Sequence, residues 1–266
     1  MKTRVFSLLL PLLPLVCAAC GTPPAAAPTG SPGAPPGANP ASLVQAQDRS
    51  EHDRALDAGR HPAELLAFLD LKPGMSVAEI GAGPGYTTEL LARAVGPTGK
   101  VYMQNEPTWL PFLETDLRER FTHPAMSGGN VVREEHPFED PIPDAKDLDA
   151  VVINLIYHDV VNTKTDRAKM NRRLFDALKP GGAYVVIDAS APAGSGVSAT
   201  DSLHRIDEQV VRDEVTKAGF VLAGEGSFLR NPDDKRDWNA APKAAERAGK
   251  RGTSDRFVLR FERPRG

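Results

Sequence analysis

Three short stretches of this chain carry side chains able to do chemistry. The first is Asn154-Leu155-Ile156-Tyr157-His158-Asp159, at the end of the apolar run Leu148 to Leu155. An imidazole titrates near neutral pH, so His158 can act as a general base, with Asp159 orienting it. Tyr157 and Asn154 can line a ligand pocket beside it. Polar groups after an apolar strand need a reason, and a binding site supplies one. The plainer alternative is a hydrogen-bonded turn with Asp159 as a helix cap. The second stretch is His204-Arg205-Ile206-Asp207. His204 and Arg205 can bind an acidic or polar substrate group, and Asp207 can cap the helix that follows. The third is Glu79-Ile80-Gly81-Ala82-Gly83-Pro84-Gly85-Tyr86. Its alternate glycines let the backbone turn tightly and approach a ligand with no Cβ in the way. The acid at the strand end can take an ammonium or a hydroxyl.

Spacing separates the ligands that such a turn can hold. A dinucleotide fingerprint, G-x-G-x-x-G, sets a pyrophosphate on a helix N-terminus. Here Tyr86 stands where the third glycine of that fingerprint belongs. The chain also has no Tyr-x-x-x-Lys pair in a plausible place, so a nicotinamide-dependent oxidoreductase is disfavoured.

The elements that must position these residues alternate between strand and helix, which predicts a mostly parallel sheet with crossover helices. Strands are predicted at Ser76–Ile80, Lys100–Gln104, Asn130–Arg133, Leu148–Leu155, Ala183–Asp188, Phe220–Gly224 and Arg256–Phe261. Helices are predicted at Ala46–Ala58, Ala63–Leu69, Thr87–Val95, Glu114–Phe121, Lys164–Leu178 and Glu208–Ala218. The connection Asn231 to Ser254 is long and charged. It reads as a solvated, partly mobile loop, with a lid role as the alternative.

The run Glu79 to Gly85 resembles the first motif of the class I S-adenosylmethionine (SAM) methyltransferases. Arg60-His61-Pro62-Ala63-Glu64, Lys72-Pro73-Gly74-Met75, Tyr157-His158-Asp159 and His204-Arg205-Ile206-Asp207 accompany it in order. Together they resemble a group of predicted bacterial members that often carry export signals, over about Gln45 to Arg263. The resemblance implies a Rossmann-like seven-stranded sheet, mostly parallel with strand 7 antiparallel, and helices on both faces. It implies SAM as cofactor, with Glu79 at the methionine end and Gly81, Ala82, Gly83, Pro84, Gly85 and Tyr86 forming the turn under the nucleoside. Asn154 would hold cofactor or substrate amide groups. The family places an acid on the ribose hydroxyls at the end of strand 2. Counting lands on Asn105, so either Glu106 takes that role or Asn105 makes a neutral contact. Glu134, Glu135 and Glu139 are candidates for the adenine side. The acceptor of the methyl group stays open. The alternative is a non-catalytic envelope protein that binds a nucleoside or a partner on the same fold.

Met1 to Cys20 reads as an export signal, with Lys2 and Arg4 before an apolar stretch broken by Pro11 and Pro14. Ala18-Ala19-Cys20-Gly21 resembles a bacterial lipoprotein cleavage site, with lipid on Cys20 as the one membrane contact. Ordinary cleavage, at Ala19 or among Ala25 to Ala27, is the alternative. Residues 21–41 hold seven Pro, four Gly and six Ala and no charge. They read as a disordered tether before a methyltransferase domain at 42–266. An exported protein on the periplasmic face of the envelope is expected. Both cysteines fall in the leader, so the folded part has no cysteine nucleophile, disulfide or thiolate metal site. No metal centre is predicted. Removing Lys2 and Arg4 leaves a net charge near −5. Broad electrostatic binding to nucleic acid is therefore disfavoured.

Overall fold

The structure, a computed structural model, describes residues 39–266. The export signal, Cys20 and the tether up to residue 38 lie outside the described residues. Among the described residues no helix is long and apolar enough to cross a membrane.

Asn39 caps the short helix α1 (Pro40–Val44), so the last residues assigned to the tether belong to a helical turn. Helix α2 (Glu51–Arg60) starts later than its charge pattern suggests, because the Ser50 hydroxyl accepts from the Asp53 amide. Helix α3 (Pro62–Leu69) opens on Pro62. Strand β1 (Ser76–Ile80), helix α4 (Tyr86–Val95) and strand β2 (Lys100–Gln104) follow. Next come α5 (Leu110–Arg120), α6 (Pro124–Ser127), β3 (Val131–Glu134) and β4 (Leu148–Asn154). Helix α7 (Tyr157–Asn162) has no side-chain cap, so Asp159 is not the helix cap that the sequence offers as an alternative. Helix α8 (Arg167–Ala177) begins after its cap Asp166, and β5 (Leu178–Ala189) follows. The remainder is α9 (Thr200–Leu203), α10 (Glu208–Lys217), β6 (Val221–Gly226), α11 (Pro242–Arg247) and β7 (Arg256–Glu262).

The seven strands form one sheet in the order β3-β2-β1-β4-β5-β7-β6. All neighbours are parallel except β7, which pairs antiparallel with both β5 and β6. Strand β4 is a continuous apolar run because both of its faces are covered. Val151 and Ile153 pack under Met170, Leu174, Val211 and Val215 of α8 and α10. Val152 packs on the other face with Leu65, Leu69, Leu91 and Leu117 of α3, α4 and α5.

The chain turns outward from β1 toward β2 and β3, then restarts at β4 on the other side of β1. Such a switch point opens a crevice at the carboxyl edge, where ligands bind in open α/β sheets. Ile80 pairs with Ile153, and Asn154 with Ile187. This register brings the ends of β1, β4 and β5 to one rim, with Glu79, Asn154 and Asp188 along it.

Candidate active site

A cavity of about 690 Å³ lies over that rim. The volume is in the range of small-molecule and cofactor sites. Glu79, Gly81, Ala82, Gly83, Pro84, Tyr86, Asn154, His158, Asp159 and His204 all line it, so the three chemical stretches of the sequence converge on one place.

The glycine turn is held from beneath by the end of β2. Gly81 N–H donates to Gln104 Oε1 (2.9 Å) and Ala82 N–H to the Gln104 carbonyl (2.9 Å). Asn105 accepts from Gly83 N–H (2.8 Å) and donates to the Gly83 carbonyl (3.1 Å). Gly85 N–H donates to the Ala82 carbonyl, and Pro84 has no N–H. The turn therefore has no free amide between 81 and 85 for a phosphate. Gly83 has φ +57° and a Cβ built there would meet nothing within 4 Å, so its α-carbon faces open space. Gly85 shapes the turn instead: it does not line the cavity, and a Cβ there would meet Met103.

At the end of β2 the two residues expected at the ribose are engaged elsewhere. Both amide functions of Asn105 are spent on Gly83, and Glu106 Oε2 accepts from Phe138 N–H (3.1 Å). Neither residue lines the cavity, and neither do Glu134, Glu135 or Glu139. Besides Glu79 and Asp159, the carboxylates that line it are Asp53, Asp116 and Glu119, of which Asp53 is paired with Arg120.

Glu79 is almost fully buried and accepts from Thr88 Oγ1 (2.5 Å). Burial pushes its carboxyl up to about 7, against the hydrogen bonds of Thr88 and Thr87 and the charge of Arg60. Arg60 stacks on the Tyr86 ring at 4.3 Å from the centroid, and burial lowers its pKa. Arg256 is buried beside it, where desolvation holds its guanidinium at about 10. It donates to Ser254 Oγ and to the Gly59 carbonyl. Among the described residues neither arginine pairs with a carboxylate through an ion pair, so two unpaired cations stand near Glu79 on the cavity wall.

His158 is held by a residue that sequence reasoning missed. Asp188, fully buried at the end of β5, accepts from the His158 amide (2.8 Å) and sits 2.7 Å from His158 Nδ1. A carboxylate only accepts, so Nδ1 carries the proton and Nε2 is directed away from Asp188. Burial works to depress the imidazole pKa, but the Asp188 charge and hydrogen bond, with Asp159 adding, leave it raised. The signal for Asp188 was present: an acid ends the apolar run Ala183 to Ile187. Asp159 stands 3.4 Å from His158 Nε2. Asn154 donates to Thr87 Oγ1 (3.1 Å). Leu155 (φ 62°) and His204 (φ 49°) both adopt left-handed backbone conformations, which are costly for these residue types.

Two further residues point elsewhere. Tyr157 is wholly buried under α8 and α10, not in the cavity. Its hydroxyl donates to Glu214 (2.8 Å) and accepts from Asn171 (2.8 Å). Tyr157→Phe is expected to lower stability by about 1–3 kcal/mol, because it strands both partners. Urea unfolding reads this, and a change in ligand affinity without that loss would return Tyr157 to the pocket. Arg205 is fully buried too. It pairs with Asp234 (2.9 Å), donates to the Ser190 and Trp238 carbonyls, and lies over the Trp238 ring. It anchors residues 231–254, which form a packed wall of the cavity through Ala240, Ala241, Pro242, Arg251 and Ser254.

Strand order and rim chemistry together define a Rossmann-like domain of the class I methyltransferase topology. Comparison with known proteins points the same way. A family model for protein-L-isoaspartate(D-aspartate) O-methyltransferase matches residues 49–106, the segment that contains the glycine turn. A protein-L-isoaspartate O-methyltransferase of Hyperthermus butylicus is 27% identical over 148 residues, which are 51% of this chain and 53% of that protein. A ubiquinone/menaquinone biosynthesis C-methyltransferase of Vibrio campbellii is 30% identical over 160 residues, 60% of this chain and 56% of that one. The chain thus spans about half the length of the curated relatives it matches. A SAM-dependent methyltransferase from Aquifex aeolicus superposes with a TM-score of 0.53 at 18% identity, over 84% of this chain and 97% of that one.

Proposed function

We propose that this protein is a SAM-dependent methyltransferase. The observation that carries the reading is the finished glycine turn, whose bare Gly83 α-carbon faces a cavity beside buried Glu79. The amino-acid end of SAM bears one ammonium and one carboxylate. Glu79 complements the first, and Arg60 beside it complements the second. The turn from Gly81 to Gly83 offers apolar backbone to the nucleoside. Arg256 is left for an anionic group of the acceptor. When bound, the cofactor supplies an electrophilic methyl group on a sulfonium. Much of the catalysis would be positioning. His158, held by Asp188, turns Nε2 toward the acceptor and takes its proton.

The matched relatives support methyl transfer and differ by their names, a protein-L-isoaspartate O-methyltransferase in one case and a C-methyltransferase of ubiquinone/menaquinone biosynthesis in the other. The absence of a carboxylate at Asn105 favours a second reading, a binding protein without turnover. Calorimetric titration with SAM, S-adenosylhomocysteine and NAD tests the cofactor. Binding of the two adenosyl ligands alone is expected. Binding of NAD alone, or of none, would overturn the assignment. Export through the leader and lipid attachment at Cys20 belong to the same proposal, supported by the sequence pattern of residues 1–41.

Glu79 gives this binding a pH dependence. Its carboxyl titrates near 7 when buried, and only the ionised form attracts an ammonium. Affinity for SAM is expected to rise up to about tenfold per pH unit below 7, to level off above it, and to fall again once the ammonium of SAM loses its proton at about 8. Arg60 is the charged group facing Glu79 and stays protonated throughout this window. Glu79→Gln should weaken binding and flatten the profile. A flat profile in the unmutated protein would remove Glu79 from the cofactor site.

A further inference from the structure

We infer that His158, Asp159 and His204 form a binding site for one divalent transition-metal ion of the zinc class. Their nearest ligand atoms form a small triangle on the cavity wall. His158 Nε2 is 3.3 Å from His204 Nδ1 and 3.4 Å from Asp159 Oδ2, and His204 Nδ1 is 3.4 Å from Asp159 Oδ1. Taking one atom from each residue, all three lie within 4.8 Å of one another. Nitrogen and oxygen ligands held roughly 2.0–2.1 Å from a tetrahedral zinc ion stand about 3.3–3.4 Å apart. Each close contact is near that spacing, with Asp159 meeting His158 through Oδ2 and His204 through Oδ1, so its carboxylate spans the two rings. Two imidazoles and one carboxylate are also the donor types that such an ion prefers.

A second observation is independent of the triangle. His158 donates its other ring proton to buried Asp188, which fixes the tautomer with a lone pair on Nε2. Metal-bound histidines characteristically carry such a carboxylate behind them, and it orients the ring and raises its basicity. With His158 neutral, the lone pair of Nε2 faces a lone pair of Asp159; a second proton or a divalent ion relieves that contact, and the ion engages all three residues at once.

Three protein ligands would leave a tetrahedral ion one open position, and all three residues line the cavity. A donor oxygen or sulfur of the methyl acceptor can fill it. That last point rests on the proposed methyltransferase reading; the metal site does not. His158 Nε2 cannot hold a metal and a proton together, so the metal-free protein keeps the base role and the loaded protein replaces it.

The test uses the full chain with Cys17 and Cys20 replaced by Ser, so that no thiol reports. After treatment with a chelator, zinc is titrated calorimetrically and cobalt by visible absorption. One equivalent with a micromolar or tighter Kd is expected, with the intense absorption of tetrahedral cobalt. His204→Asn keeps a residue tolerant of the left-handed backbone and removes a ligand. It should weaken zinc binding by roughly 10²-fold or more, with circular dichroism unchanged. Asp188→Asn should weaken it by about 10–100-fold. No binding up to millimolar zinc, or equal binding by the His204 variant, would overturn the inference. SAM titration of the same samples separates the two proposals. Metal binding without SAM binding sinks the cofactor reading alone, and SAM binding without metal sinks the metal site alone.

Discussion

Gly83→Val is expected to abolish SAM binding, by a factor of 100 or more, while leaving the sheet intact. Two features give the substitution its size. At φ +57° a branched residue costs of order 1–3 kcal/mol in backbone strain. The new side chain also meets no protein atom within 4 Å, so it projects into the space the nucleoside needs. The peptide contacts with Asn105 use only backbone atoms of residue 83, so the clamp beneath the turn has no reason to fail. Calorimetry with SAM and S-adenosylhomocysteine, beside a thermal melt, reads both consequences. Unchanged affinity would show that the cofactor does not lie on this turn.

Arg205→Ala carries the largest expected effect on stability. The guanidinium is fully buried, and it joins Asp234, Ser190 and Trp238. Asp234 is almost as deeply buried and keeps only the amides of Arg236 and Asp255 and the Trp238 indole. Removing one partner of a buried ion pair costs about 3–5 kcal/mol. For a domain of this size that is a fall in Tm of roughly 6–20 °C. The cavity wall from Ala240 to Ser254 should loosen first, read as faster proteolysis within 231–254. A variant that melts like the parent but binds ligands differently would restore the substrate role that the sequence suggests for Arg205.

The difference between those two residues marks where sequence reasoning succeeds. Gly83 belongs to a local pattern: a short strand, a turn that needs positive φ, and a helix. Strands β1 and β2 were predicted with the bounds observed, for the same reason, and Asp207 caps α10 as its position suggests. Residues whose role depends on distant partners were less legible. Tyr157 and His158 are neighbours on a helix and cannot face the same way. Nothing local says which of them turns to the cavity. The partner of His158 is Asp188, thirty positions later, and only the pairing of β4 with β5 brings them together. The loop 231–254 has the composition of a solvated segment. Two of its charges are instead paired inward, Asp234 with Arg205 and Arg236 with Asp255, while Asp233, Lys235, Asp237 and Lys243 stay exposed.

The clamp of Gln104 and Asn105 on the glycine turn has a consequence for how the site behaves in time. A turn whose amides are all engaged has little left to order when a ligand arrives. Hydrogen exchange at Gly81, Ala82, Gly83 and Gly85 should be slow in the free protein and should slow little further on loading. The entropy of shaping the cradle is settled at folding, and selection among nucleosides then falls to steric exclusion by a rigid surface.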